Sequence, residues 1–316
     1  MLAAVSKALF GAVAANEALA RLARRYGMRR RGGPARQFVA GGTLAEALAV
    51  AQGLERAGRL HAIAYLGRSA PTFEAAEANV RQYRDIIEAV AGVGVNRSVS
   101  ISLTRLGLGI DRATCLDNLR RVLDPALRRD CFVRIDAEEA THVAETLDVF
   151  EALWRSPYRN IGITLQARLK RTEHDVERMN RLGASIRLVK GAYQEPKRIA
   201  YHRKADVNGA FTQLTERLLR EGTLPAVATH DAGLIAEVQT QAAAVGLSRD
   251  RFEFQMFYGV RRDLQAALVA EGFQVRVSVP FGPEWFPYVM QRLGDRPDAL
   301  FAAAPDTPAA IPAATR

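Results

Sequence analysis

Arg187-Leu188-Val189-Lys190-Gly191-Ala192-Tyr193 is a strand-length run that closes on polar residues able to face a bound ligand. Five further runs end the same way. Phe132-Val133-Arg134-Ile135-Asp136 and Ile163-Thr164-Leu165-Gln166 precede it, and Ala228-Thr229-His230-Asp231, Glu253-Phe254-Gln255 and Val275-Arg276-Val277-Ser278-Val279-Pro280 follow it. Parallel strands ending like this in succession build a closed barrel whose active site lies at the strands' C-terminal mouth.

The rest of the chain fits that reading. Eight strand candidates fall near residues 61–66, 98–104, 131–136, 161–166, 185–190, 224–229, 252–256 and 274–279, separated by stretches of helical periodicity. Parallel strands need helical crossovers, so eight such units predict an α/β chain folded as a (βα)8 TIM-like barrel. Helix starts are marked by Thr43 with Glu46, by Thr172 with Asp175, and by Asp111, Asp206 and Asp231 at cap positions. Gly58, Gly183, Gly222, Gly246 and Gly272 mark helix ends. A doubly wound dinucleotide fold is disfavoured, because Gly107-Leu108-Gly109 lacks the third glycine of that fingerprint. The predicted organisation is a helical extension over 1–57, the barrel over 58–298, and an Ala/Pro-rich tail over 299–316 expected to lack order at its end.

Composition bounds the function. With 316 residues, 48% hydrophobic and 25% charged, the chain can bury one large barrel, and no apolar run is long enough to span a membrane. The opening Met1 to Phe10 has no basic segment before its apolar part. Lys7, Asn16 and Glu17 interrupt it, which reads as an amphipathic helix rather than a leader. Cys115 and Cys131 have no ligand spacing, so a reducing cytoplasm without disulfides is expected. The net charge of +10 is spread along the chain apart from Arg24, Arg25, Arg29, Arg30 and Arg31, which argues for a solvated surface and anionic ligands rather than nucleic acid. Histidines and carboxylates do not fall at zinc-ligand spacing, and no metal site is expected.

Strand alternation places polar side chains on the inner face. Ser98, Ser100, Ser102 and Thr104 share one side of strand two, Arg134 and Asp136 one side of strand three, Arg187 and Val189 one side of strand five, and Gln274, Arg276 and Ser278 one side of strand eight. Barrel interiors are usually branched and apolar, so this lining predicts either a ligand or an internal salt-bridge network. Arg187 paired inside the barrel with Asp136, and His230 as a turn histidine, are the plainer readings of those two residues.

Together, Arg187 to Tyr193, Glu195-Pro196, Ala228 to Asp231, Glu253 to Gly259 and the helix from Pro283 to Pro297 resemble the proline dehydrogenase family over roughly residues 60–300. The resemblance implies a distorted barrel with FAD across its mouth, in the single-function form, oxidising an imino acid to an imine by hydride transfer to flavin N5. It implies Arg187, Gln166 and Val189 against the flavin ring. Lys190, Gly191, Thr229 and His230 would lie along the ribityl chain and pyrophosphate, with Glu253 and Gln255 supporting the flavin end. It also implies Ala192, Tyr193 and Phe257 beside the substrate, Asp136 and Arg187 as the catalytic pair, and a membrane quinone as electron acceptor, with membrane contact at most peripheral.

The substrate side departs from the family pattern. A strand-two lysine is replaced by Ser102, a strand-eight tyrosine by Ser278, and an arginine pair followed by a glutamate by Gln291, Arg292 and Asp295, on one helix face with Tyr288. A first-strand aspartate and glutamate are replaced by Ala64 and Arg68. Losing the lysine is expected to free Asp136 for the substrate amine and raise its pKa. These changes predict a proline-like or larger cyclic secondary amine as substrate. Ordinary proline oxidation is one alternative, and a barrel that binds FAD without catalysis is the other.

Overall fold

The computed structural model describes residues 33–93 and 96–295, with scattered positions between 10 and 23. Eight parallel strands close into one barrel in sequence order, and helices alternate with them. The strands are β1 (Leu60–Tyr65), β2 (Ser98–Ile101), β3 (Phe132–Ile135), β4 (Ile161–Gln166), β5 (Ser185–Val189), β6 (Ala226–Ala228), β7 (Glu253–Phe257) and β8 (Gln274–Phe281). Between and around them run α1 (Leu44–Arg56), α2 (Phe73–Gly92), α3 (Arg112–Arg128), α4 (Ala140–Trp154), α5 (Thr172–Arg181), α6 (Lys204–Glu221), α7 (Ala232–Ala244), α8 (Arg262–Ala270) and α9 (Trp285–Asp295). Closure comes from β1 against β8, in register from Leu60 with Arg276 to Tyr65 with Phe281.

Outward-facing aliphatics weld the strands to the helices. On α2, Val80, Tyr83, Ile87 and Val90 recur at helical spacing and are buried, meeting Val99 and Ile101 of β2 in one continuous core. Each fully buried side chain of this size contributes about 1.5–3 kcal/mol relative to exposure. The inner face is different: Ala62, Ser98, Ser100, Gly162, Ala226 and Ala228 are small, which leaves room for Arg134, Arg187 and Arg276 to enter the barrel. Ion pairs occupy the interior, so of the two expected linings the internal salt-bridge network is the one seen.

Several local expectations need correction. Strand two ends at Ile101, and a 3-10 turn over Leu103–Leu106 follows. Thr104 therefore leaves the inner face, and its backbone N–H and hydroxyl both donate to Glu138. Thr43 and Glu46 form the full capping box, and Asp111 and Asp231 cap their helices. Thr172 does not cap: it is already helical, and its hydroxyl donates to the Gln166 carbonyl at 2.5 Å. Asp206 lies inside the first turn of α6, where Arg203 is the N-cap. Within the expected extension over 1–57, α1 precedes the barrel, while most of residues 1–32 and the tail over 299–316 lie outside the described residues.

Candidate active site

The C-terminal mouth is organised around Arg187. Its guanidinium enters the barrel from β5 and meets groups from four other positions around the ring. Nε donates to Thr164 Oγ1 at 3.0 Å, Nη1 reaches Gln255 Oε1 at 3.3 Å and Ser100 Oγ at 3.5 Å, and Nη2 is paired with Asp136 Oδ1. Asp136 is itself anchored, because its N–H donates to the Ile101 carbonyl at 2.8 Å. The Asp136 carboxylate is thus already engaged by Arg187, so the expectation that losing the strand-two lysine frees it is not met.

A second cation stands close by. Arg105, in the 3-10 turn after β2, donates from Nη1 to the Tyr65 carbonyl at 2.9 Å, to Ser102 Oγ at 3.3 Å and to the Tyr83 hydroxyl at 3.5 Å. Its Nε donates to the Gly67 carbonyl at 3.1 Å. Burial disfavours its charge, but Tyr83, Asp136 and Glu138 outweigh that and raise its pKa above the ordinary arginine value. Sequence reasoning passed over Arg105, Glu138 and Tyr83. An arginine at the end of a short turn announces nothing by periodicity, and its reach back to strand one appears only in three dimensions.

The β5–β6 side of the mouth is built from turns. Gly191 follows β5 with φ +97°, and a Cβ there would lie 2.9 Å from Gln166 Oε1 and 3.3 Å from Arg168 Cβ, so the backbone runs where a side chain cannot. Gln166 is held from the other side by donating Nε2 to the Glu138 carbonyl at 2.8 Å. Lys190 Nζ stands 3.3 Å from Asp231 Oδ2. His230 Nε2 accepts the Phe257 N–H at 2.8 Å, which leaves Nδ1 as the protonated nitrogen of the neutral ring. That ring also stacks on Phe257, with centroids 5.3 Å apart. Thr229 is buried, and its hydroxyl accepts the Asp231 N–H at 3.2 Å.

Over the mouth, α9 brings Arg292 against aromatic rings, 4.7 Å above Phe257 and 5.5 Å from Tyr288. Tyr288 and Arg292 do share a helix face and both meet the Phe257 ring, but Gln291 is exposed, and the Asp295 side chain lies outside the described residues. Tyr193 is partly exposed. Burial and then the Glu138 and Asp136 carboxylates push its phenol up to about 12. Ala192 is exposed beside it, and Val189 closes β5 in register with Gln166 and Ala228. Ser278 lies in register with Ala62 and Phe257, and Ser102 sits where β2 gives way to its turn.

One placement changes. Glu253 opens β7 rather than ending it, and its carboxylate accepts Arg276 Nε at 2.9 and 3.0 Å and Gln255 Nε2 at 2.5 Å. It belongs to the lower half of the barrel, away from the flavin end where the sequence reading put it; Gln255, two residues on, is the one that reaches Arg187. Among the described residues no group of three His, Cys, Asp or Glu is arranged to hold a metal, and no helix is long and apolar enough to cross a membrane. Both cysteines are free and buried.

A closed (βα)8 barrel with an arginine–carboxylate pair beneath its C-terminal mouth has the architecture of a barrel enzyme. Comparison with known proteins narrows the class. The profile of the family described as proline dehydrogenase matches residues 47–294. Proline dehydrogenase 1 of Bacillus subtilis is 36% identical over 282 residues, covering 89% of this chain and 92% of the relative. The proline dehydrogenase of Deinococcus radiodurans is 37% identical over 271 residues, covering 83% and 86%. Among solved structures, proline utilization A from Bdellovibrio bacteriovorus, inactivated by N-propargylglycine, superposes with a TM-score of 0.77 at 23% identity, over 82% of this chain. The chain spans only 32% of that structure, and at this identity the likeness speaks for the fold alone.

The class is that of FAD-dependent oxidoreductases acting on CH–NH donors. The chain belongs to the proline dehydrogenase family.

Proposed function

We propose that this protein dehydrogenates a cyclic secondary amino acid of the proline type, with a pocket open to substrates larger than proline. The observation that carries the reading is the Arg187 guanidinium at the end of β5, fixed by Thr164, Gln255 and Asp136 under the mouth. The residues present suit FAD. The Gly191 turn gives a cradle that a Cβ would fill, and Lys190, His230, Gln166 and Val189, gathered at the ends of β4, β5 and β6, are the residues that would hold the cofactor there. The chemistry that FAD supplies when bound is two-electron acceptance of the hydride leaving the carbon next to nitrogen.

The protein's own part is electrostatic. Arg187 is held in place before substrate arrives, so its cation stabilises developing negative charge without reorganisation. With Oδ1 of Asp136 engaged by Arg187, the other carboxylate oxygen is the acceptor we assign to the substrate N–H. A protonated amine would give up its proton before the carbon–hydrogen bond breaks, since the nitrogen lone pair drives that step. Arg292, oriented over Phe257 and Tyr288, is the group we assign to the substrate carboxylate.

The larger substrate is favoured by the wall opposite. Ser278 stands beside Ala62, two small side chains in register, so the inner wall is low there. Reoxidation by a quinone rests on the family resemblance alone. Steady-state turnover on proline against ring-substituted and larger cyclic secondary amines tests the proposal. A higher kcat/KM for an enlarged amine supports it, a clear preference for proline returns the reading to ordinary proline oxidation, and an FAD-loaded protein inert toward all of them is a binding module.

A further inference from the structure

Four side chains form one hydrogen-bonded line inside the barrel, running from its lower half up to the mouth. Arg276 Nε donates to both Glu253 carboxylate oxygens, at 2.9 and 3.0 Å. Glu253 Oε1 also accepts Gln255 Nε2 at 2.5 Å. Gln255 Oε1 in turn accepts Arg187 Nη1 at 3.3 Å. Among the described residues the Glu253 carboxylate bonds to Arg276 and Gln255 alone, so its hydrogen-bonded route to Arg187 runs through Gln255.

The polarity of this line fixes a group that is otherwise ambiguous. A primary amide has an accepting end and a donating end of nearly the same shape, and either can face either neighbour. Arg187 only donates, and an ionised Glu253 only accepts. Burial opposes the Glu253 charge, but Arg276 and then Arg134 outweigh it and hold the carboxyl below its ordinary range. Gln255 is therefore pulled into one orientation from both ends, with its nitrogen toward Glu253 and its oxygen toward Arg187. Packing alone does not hold it, because Gln255 lines a cavity of about 550 Å³ together with Arg187, Glu253 and Arg276. Arg187 Nη1 depends on this oxygen. Its other acceptor, Ser100 Oγ, stands at 3.5 Å, whereas Nε has Thr164 and Nη2 has Asp136.

We propose that Glu253 is a positioning residue for the flavin reaction: it anchors the Gln255 amide from below, and that amide holds the Nη1 edge of Arg187 under the mouth. This rests on the reading that Arg187 faces the flavin. The part played by the carboxylate is geometric rather than a field effect, because Arg276 offsets its charge at 2.9 Å. Without Glu253 the amide loses one of its two tethers, and the cation is held less closely beneath the mouth.

Two charge-matched variants of the FAD-loaded protein test this. The readout is the flavin midpoint potential from a dye-linked reductive titration, so no amine enters the experiment. Glu253→Leu with Arg276→Met removes both the ion pair and the acceptor. Glu253→Gln with Arg276→Met removes the ion pair but keeps an oxygen for Gln255 Nε2. Buried ion pairs commonly tolerate exchange for apolar side chains, and Glu253→Met replaces the leucine where that variant does not fold. The leucine variant is expected about 30 mV below the glutamine variant, a tenfold weaker preference for the reduced flavin. Arg187→Gln should shift the potential in the same direction. Equal potentials in the two matched variants, with Arg187→Gln still shifted, overturn the proposal and leave the reading of Arg187 intact. An Arg187→Gln potential equal to the parent's overturns both.

Discussion

Arg187 and Asp136 form an ion pair across the barrel, joining the fifth strand to the end of the third beneath the C-terminal mouth. Neither side chain is free: Arg187 is 12% exposed with three further oxygen acceptors, and Asp136 is 29% exposed. Asp136→Asn keeps the shape but removes the charge that Arg187 is paired with. We expect a stability loss of about 1–3 kcal/mol in urea unfolding, the range for a buried polar group left poorly satisfied, together with slower flavin reduction. Unchanged stability and unchanged reduction would show that the pair is incidental.

Gly191 offers a separate test, because its role is conformational. Gly191→Ala forces a Cβ into a left-handed turn, 2.9 Å from Gln166 Oε1. The expected cost is about 1–3 kcal/mol, with a lower FAD content in the purified protein. A variant that keeps its full complement of flavin contradicts the proposed cradle.

Arg105 and Ser102 should behave as a coupled pair, since Nη1 of one donates to Oγ of the other at 3.3 Å. Ser102→Lys puts a second cation against a buried guanidinium and should destabilise the barrel. Adding Arg105→Gln to that variant should recover much of the loss, with a coupling energy of roughly 0.5–3 kcal/mol in a double-mutant cycle. Additive single effects would mean that Arg105 does not interact with the side chain at position 102.

His61 gives the chain a pH dependence remote from the mouth. It is fully buried on β1, and burial first, then the Arg276 cation, lowers its pKa to about 4. Glu55 Oε1 lies 3.3 Å from Nε2 but makes no hydrogen bond with it, so burial prevails. Unfolded histidine titrates near 6.5, so between these values the unfolded chain binds more protons and stability rises with pH. The contribution is complete above the unfolded pKa and is lost as pH falls toward the folded one, up to roughly 3 kcal/mol. Urea unfolding of His61→Leu at several pH values should show a shallower acid slope than the parent protein, and an equal slope would refute this.

Alternation and the polar strand ends were enough to place all eight strands and the closed barrel, because a period of two and helical crossovers leave few other topologies. They also gave the inward face of Arg134, Arg187 and Arg276. What a linear pattern cannot give is height along the barrel axis. Glu253 and Gln255 share a face, yet one pairs with Arg276 below and the other reaches Arg187 above. Nor does it give the reach of a long side chain. The same strand-two segment that read as a continuous strand through Thr104 turns after Ile101, and that turn is what swings Arg105 back to the Tyr65 carbonyl. Cap residues were legible where the hydroxyl or carboxylate faces a free N–H, as at Thr43, Asp111 and Asp231. They misled at Thr172 and Asp206, where the helix begins earlier than the side chain suggested.

The central claim is that a cation fixed at the end of the fifth strand promotes hydride transfer from a cyclic amine to bound FAD. Anaerobic mixing of the FAD-loaded protein with proline and with larger cyclic secondary amines tests it most directly. Flavin absorbance should bleach with at least one of them, and Arg187→Gln that retains its flavin should bleach on the order of a hundredfold more slowly. A flavin that dithionite reduces but no amine does, or an Arg187→Gln variant as fast as the parent, would contradict it.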